Sequence, residues 1–168
     1  EWIPQLSDSS EVSENIIRNK SITYTALVPN LKGAKRAEDH GINSISVITA
    51  ASEDFSFNNV NCSINKSIDR IAEIVDYAHE SDIIIRTYIS TCWDCPYTGT
   101  IKPKMVKLVI DHLYQFDIIR EFVLSDTTGK ATVANVQYLM DILFTEFDPS
   151  DFALHFHDTF GQAEDNLK

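Results

Sequence analysis

The chain has 168 residues, 43% of them hydrophobic, and a formal net charge of −11 at pH 7. That length fits one domain with a sizeable core, and the acidic balance argues against nucleic acid and anionic membranes as partners. No apolar run approaches the ~18–20 residues of a membrane span, and three cysteines, Cys62, Cys92 and Cys95, are too few and too odd for a disulfide scaffold, which favours a reducing compartment.

An anionic substrate would need local cations. The N-terminus has no basic-then-apolar signal pattern, and the absent initiator Met suggests processing or a fragment. The glycosylation sequons at Asn19, Asn61 and Asn65 are given little weight without a secretory signal.

In chain order, Val12, Ile16 and Ile17 predict a short amphipathic helix over residues 9–18. Residues 23–28 predict a strand closed by Pro29-Asn30, and 31–40 a helix stopped by Gly41. Residues 45–49 predict a strand, followed by a polar loop over 52–61. Ile68, Ile71, Ala72, Val75 and Ala78 form a helical stripe over 66–81. Residues 83–89 open as a continuous apolar run, as a strand buried on both faces would. Pro103 marks a helix start, with Val106, Val109, Ile110 and Leu113 as its stripe. Residues 121–124 predict a short strand ending in Ser125-Asp126-Thr127-Thr128-Gly129. Val136, Leu139, Met140, Leu143 and Phe147 predict another helix, 152–156 a strand, and 162–168 the opening turn of one more helix.

Alternating strands and helices predict an α/β fold with a parallel sheet, and no linker or low-complexity stretch divides the chain. A doubly wound sheet and a (β/α)8 barrel both fit. No Gly-x-Gly-x-x-Gly follows a strand, which lowers the dinucleotide-binding reading. Polar and ionisable residues cluster just past the strand ends, as both folds require. A complete barrel takes roughly 250 residues, and this chain offers only five such strands.

The stretch Phe152–Ala163 is the focus of the chemistry. His155 and His157 stand two apart on a predicted strand, so both imidazoles project to one face near its end. That arrangement suits two neutral nitrogen ligands on one divalent metal. Together with Pro29-Asn30-Leu31-Lys32-Gly33, Ala51-Ser52-Glu53, Arg86-Thr87-Tyr88-Ile89-Ser90, Cys95-Pro96-Tyr97 and Ser125-Asp126-Thr127, the His155-Phe156-His157-Asp158-Thr159 motif resembles the 3-hydroxy-3-methylglutaryl-CoA lyase family. The similarity extends to Trp2-Ile3-Pro4-Gln5 and Asn61-Cys62-Ser63. The His-x-His-Asp-Thr motif alone would indicate only the wider superfamily of metal-dependent barrel enzymes; the Pro29–Gly33 and Cys95–Tyr97 stretches resemble the lyases.

The resemblance implies one incomplete (β/α)8 TIM-barrel domain over 1–168, covering strands three to seven. It implies retro-Claisen cleavage of 3-hydroxy-3-methylglutaryl-CoA to acetyl-CoA and acetoacetate with Mg²⁺ or Mn²⁺, an acyl-CoA substrate, and a bacterial cytoplasmic or mitochondrial matrix setting. A homodimer is compatible with it. The family's first-strand Arg-Asp pair, second-strand catalytic Glu, and Gly-rich Cys loop with a nearby Asn ligand are absent here. A related Claisen-type acyltransferase or 2-oxo-acid aldolase, and a catalytically inactive fragment, are the alternatives.

On this reading His155 and His157 are the metal ligands. Asp126, Arg86 and Tyr88 are the catalytic candidates; Asn30, Ser63 and Thr127 are the substrate-binding ones. Asp126 would accept or relay a proton, or else make a turn in its Ser-Asp-Thr-Thr-Gly loop. Arg86 needs a carboxylate partner, either substrate or a barrel residue such as Glu53. Tyr88 orients substrate or fills the core. Ser63 also suits a helix N-cap, the favoured role, and Asn30 a β-to-α turn. Cys92 and Cys95 form a Cys-x-x-Cys that allows a disulfide. Structural zinc is disfavoured, because no second pair exists.

Overall fold

The computed structural model describes residues 7–168; the Trp2–Gln5 stretch of the resemblance lies outside them. Helix α1 (Ser9–Asn15) is shorter than the predicted 9–18, because Ile16 takes extended backbone. Val12, Ile16 and Ile17 stay exposed. What ties this segment down is Arg18, whose guanidinium donates to the carbonyls of Ser13, His40 and Gly41.

The main run is β1 (Thr25–Leu27), α2 (Leu31–Asp39), β2 (Ser44–Ala50), α3 (Glu53–Val60), α4 (Ile64–Ala78) and β3 (Ile84–Ser90). A small antiparallel hairpin, β4 (Asp94–Cys95) with β5 (Gly99–Thr100), then precedes α5 (Pro103–Leu113), β6 (Ile119–Asp126), α6 (Val133–Leu143), β7 (Phe152–Phe156) and α7 (Ala163–Asn166). Gly41 follows α2 at φ +69, the left-handed geometry of a helix stop, and Pro103 opens α5.

Two predicted features are corrected. The polar loop expected over 52–61 is helix α3. Ser52 caps it by accepting the Phe55 N–H, and Glu53 and Asp54 sit in the first turn, where negative charge suits the helix dipole. Only Ser56 of α3 is buried, so no apolar stripe announces the helix. The Cys-x-x-Cys segment carries the hairpin, and both of its cysteines are free and buried.

Strands β1, β2, β3, β6 and β7 form one parallel sheet in that order. Spatial order follows chain order throughout. A doubly wound sheet would reverse direction at a switch point, so of the two architectures the sequence allowed, the singly wound one is present. The two faces differ in chemistry. Ile45, Val47, Ile85, Ile89, Phe122 and Leu124 point toward the helices and pack on Ile71, Ile74, Ile110, Leu113, Leu139 and Leu143. Each such side chain contributes roughly 1.5–3 kcal/mol by leaving water. The opposite face carries Ser46, Arg86, Tyr88, Ser90, Ser125 and His155.

That inner face leaves Leu27 and Ile84 largely exposed, and β1 and β7 each have one unpaired edge among the described residues. Residues 1–168 expressed alone are therefore expected to associate with rising concentration and to melt broadly and irreversibly. A sharp, reversible, monomeric two-state melt in calorimetry would refute this.

Candidate active site

A cavity of about 430 Å³ lies against the inner face of the sheet, running from Ser46 and Arg86 within the strands to Ser90, Thr127 and His157 at their C-terminal ends. Strand alternation decides what reaches it. Parity along β3 sends Arg86, Tyr88 and Ser90 inward; β6 contributes Ser125, and β7 sends His155 and then His157 past its end.

The two imidazoles meet edge to face with ring centroids 5.0 Å apart. His157 Nδ1 lies 2.9 Å from the Thr127 carbonyl oxygen. A carbonyl only accepts, so Nδ1 is the nitrogen that donates here and Nε2 is the one left to ligate. Desolvation, and then the neighbouring His157, lower the pKa of His155, which favours the neutral form that can ligate. Among the described residues no third His, Cys, Asp or Glu joins the pair. The two imidazoles could fill two positions of a divalent ion.

Arg86 also lines the cavity. Its Nε forms an ion pair with Glu121 on β6, and its Nη1 donates to Tyr88 Oη at 3.3 Å. Burial acts to lower the Arg86 pKa, but the hydrogen bond and charge of Glu121 outweigh it and the net shift is upward. The suggested partner Glu53 is thus corrected to Glu121; the Glu53 carboxylate instead accepts the Ile64 N–H at 3.0 Å. Glu121 was missed because its pairing depends on a bulge between distant strands, although a charged pair inside an apolar strand is a visible signal. Tyr88 turns its ring edge to His155 at a centroid distance of 5.9 Å.

The other candidates sit elsewhere. Asp126 is fully buried and faces its own loop. Its Oδ1 accepts the N–H groups of Gly129 and Lys130, and its Oδ2 that of Ala131. That is the turn-forming geometry the sequence also allowed. Ser63 caps α4 by accepting the Lys66 N–H, and Asn30 caps α2 through Gly33. Neither lines the cavity. Burial pushes the Cys92 thiol up to about 12, while Cys95 accepts a hydrogen bond from Ser52 at 3.1 Å. The pair is not a disulfide, which corrects that expectation.

Thr127 works on two sides. Its carbonyl holds His157, and its Oγ1 accepts the N–H of Thr91 at 2.8 Å. Thr91 is fully buried and sits at φ +58, an unusual conformation for a β-branched residue. Thr127→Val would leave that N–H unpaired in the interior, so it is expected to cost about 1–3 kcal/mol in denaturant unfolding of the complete protein. A loss under ~0.5 kcal/mol, the level of an ordinary surface change, would show that Thr91 finds another partner.

Comparison with known proteins places these observations. The family described as HMGL-like matches residues 1–167. The chain is 39% identical over 166 residues to the 3-hydroxy-3-isohexenylglutaryl-CoA/hydroxymethylglutaryl-CoA lyase of Pseudomonas aeruginosa, covering 99% of this chain and 55% of that protein. It superposes on the HMG-CoA lyase of Brucella melitensis with a TM-score of 0.94 at 37% identity, over 99% of this chain and 58% of the other. An HMG-CoA lyase from Acinetobacter baumannii, solved with coenzyme A and 3-methylmalate, matches with a TM-score of 0.91 at 31% identity, over 98% of this chain and 53% of the other. The chain thus spans about half the length of the curated relatives it matches. Its sheet is part of a TIM barrel.

Proposed function

The chain belongs to the HMGL-like family, and from that premise we propose that it is the central part of a carbon–carbon lyase. The complete protein would cleave 3-hydroxy-3-methylglutaryl-CoA to acetyl-CoA and acetoacetate. Residues 1–168 would form one incomplete barrel domain within it. The observation that carries the reading is the His155–His157 pair at the end of β7, with His157 held by the Thr127 carbonyl.

His155 and His157 would hold a divalent ion, Mg²⁺ or Mn²⁺, with oxygen ligands supplied from outside this chain. When bound, such an ion lowers the pKa of a coordinated substrate hydroxyl and offsets developing negative charge. The chain's own residues do the positioning. The Thr127 carbonyl fixes the tautomer of His157, and the small side chains Ser90 and Ser125 leave room for the acyl group. Arg86 and Tyr88 border the space where the acyl group would sit. Asp126 holds the loop after β6 by its three backbone hydrogen bonds. An acyl-CoA substrate is supported by the related lyase solved with coenzyme A.

The test is a substrate panel on the complete protein with added Mg²⁺ or Mn²⁺. Acetoacetate and acetyl-CoA released from 3-hydroxy-3-methylglutaryl-CoA would support the reading. Turnover only of 2-oxo-acid aldol substrates would replace it with the aldolase alternative. A reading frame that supplies no further oxygen ligand on either side would reduce the protein to a non-catalytic remnant.

A further inference from the structure

Building on that reading, we propose that Glu121 is a positioning residue for the His155–His157 pair and acts through Arg86 and Tyr88. The register of the sheet is the first observation. Ile85 pairs with Ile119, yet Arg86 pairs with Glu121, so Arg120 is the extra residue of a bulge in β6. Regular pairing would set Arg120 opposite Arg86, two cations on adjacent strands. The bulge instead turns Glu121 onto the inner face. Bulges are often found next to active sites, where they re-aim a side chain.

Contacts then run from Glu121 to the histidines. The carboxylate pairs with Arg86 Nε, which fixes the plane of the guanidinium. Arg86 Nη1 donates to Tyr88 Oη at 3.3 Å, and its guanidinium carbon lies 5.9 Å from the Tyr88 ring centre. Tyr88 is paired with Val123, and Val123 with Ala153. These small side chains let the Tyr88 ring reach across β6 to His155, which it meets edge-on at 5.9 Å and 77°. That is a favoured aromatic geometry. His155 in turn packs on His157. Releasing Glu121 frees Arg86, removes the support from Tyr88, and loosens His155 on the side away from Thr127.

The test uses the complete protein and Mn²⁺ alone as probe. Glu121→Ala is expected to weaken Mn²⁺ binding by about 10-fold or more, within the ~10–100-fold range for residues that orient metal ligands. Glu121→Gln, which keeps an acceptor for Arg86 Nε, restores most of it. In a Tyr88→Ala background, Glu121→Ala adds little, because the ring that joins Arg86 to His155 is gone. An unchanged Mn²⁺ affinity with only a lowered Tm overturns the proposal, as does Glu121→Gln binding as weakly as Glu121→Ala. If Glu121→Ala does not fold, Arg86→Met/Glu121→Ala removes the unpaired cation and reads the same loss; full affinity there also overturns it. An unmutated protein that binds no Mn²⁺ fails the metal reading instead. The ring resonances of His155 and His157 then still decide the positioning: they shift in Glu121→Ala if the rings move and stay fixed if Glu121 is only structural.

Discussion

Alanine in place of His157 in the complete protein is expected to abolish divalent-metal binding at the pair and to lower turnover by more than ~100-fold, beyond what residues that merely orient a ligand cost. The fold should survive. His157 is exposed, beyond the last residue of β7, and the hydrogen bond of its ring goes to one backbone carbonyl. Truncating it opens no cavity in the core, so a loss of activity cannot be assigned to unfolding. The measurement is paired: Mn²⁺ titration and acetoacetate release on one side, a thermal melt on the other. Unchanged turnover at saturating Mg²⁺ would sink the ligand assignment.

The parallel sheet was legible because its strands are short, apolar and regularly spaced between amphipathic helices. His155 and His157 were legible because a spacing of two on a strand fixes a shared face whatever the rest of the fold does. What stayed hidden depends on contacts between distant segments. The bulge at Arg120 changes which residues of β6 face inward, and the Arg120-Glu121 pair in the sequence does not say which of the two charges turns in. Hence Glu121 escaped notice. Asp126 stands at the strand end as its position implied, between Ser125 and Thr127, which line the cavity, while its own carboxylate accepts from the backbone of its loop. Helix α3 escaped for another reason. Its start signals, Ser52 with Glu53 and Asp54, are present, but it buries too little apolar surface to show a period. The hairpin β4–β5 is held by side chains from other elements. Asp94 pairs with Lys130 and Trp93 Nε1 donates to the Asn135 carbonyl.

Gly129→Ala is expected to be among the most damaging single changes outside the ligands themselves. Gly129 has φ +73, and a Cβ built there would lie 2.7 Å from the His157 carbonyl oxygen and 2.9 Å from Thr159 Cβ and Oγ1. The left-handed conformation costs alanine about 1–2 kcal/mol, and overpacking against backbone about 1–3 kcal/mol more. A loss of roughly 2–5 kcal/mol would consume much of the ~5–15 kcal/mol that holds a typical domain together. The consequence for function is specific. The Gly129 N–H also donates to Asp126 Oδ1, and the Asp126 carbonyl accepts the His157 N–H at 3.4 Å. A methyl group at Gly129 therefore pushes apart the two segments whose contact places His157, and Mn²⁺ affinity falls although both histidines remain. Gly161 supplies the control. It has φ +69, but nothing lies within 4 Å of its built Cβ. Gly161→Ala should cost only the backbone term of about 1–2 kcal/mol. If denaturant unfolding gives both variants the same loss and Mn²⁺ binds both alike, the contact between Gly129 and the His157 backbone has no part in placing the ligand.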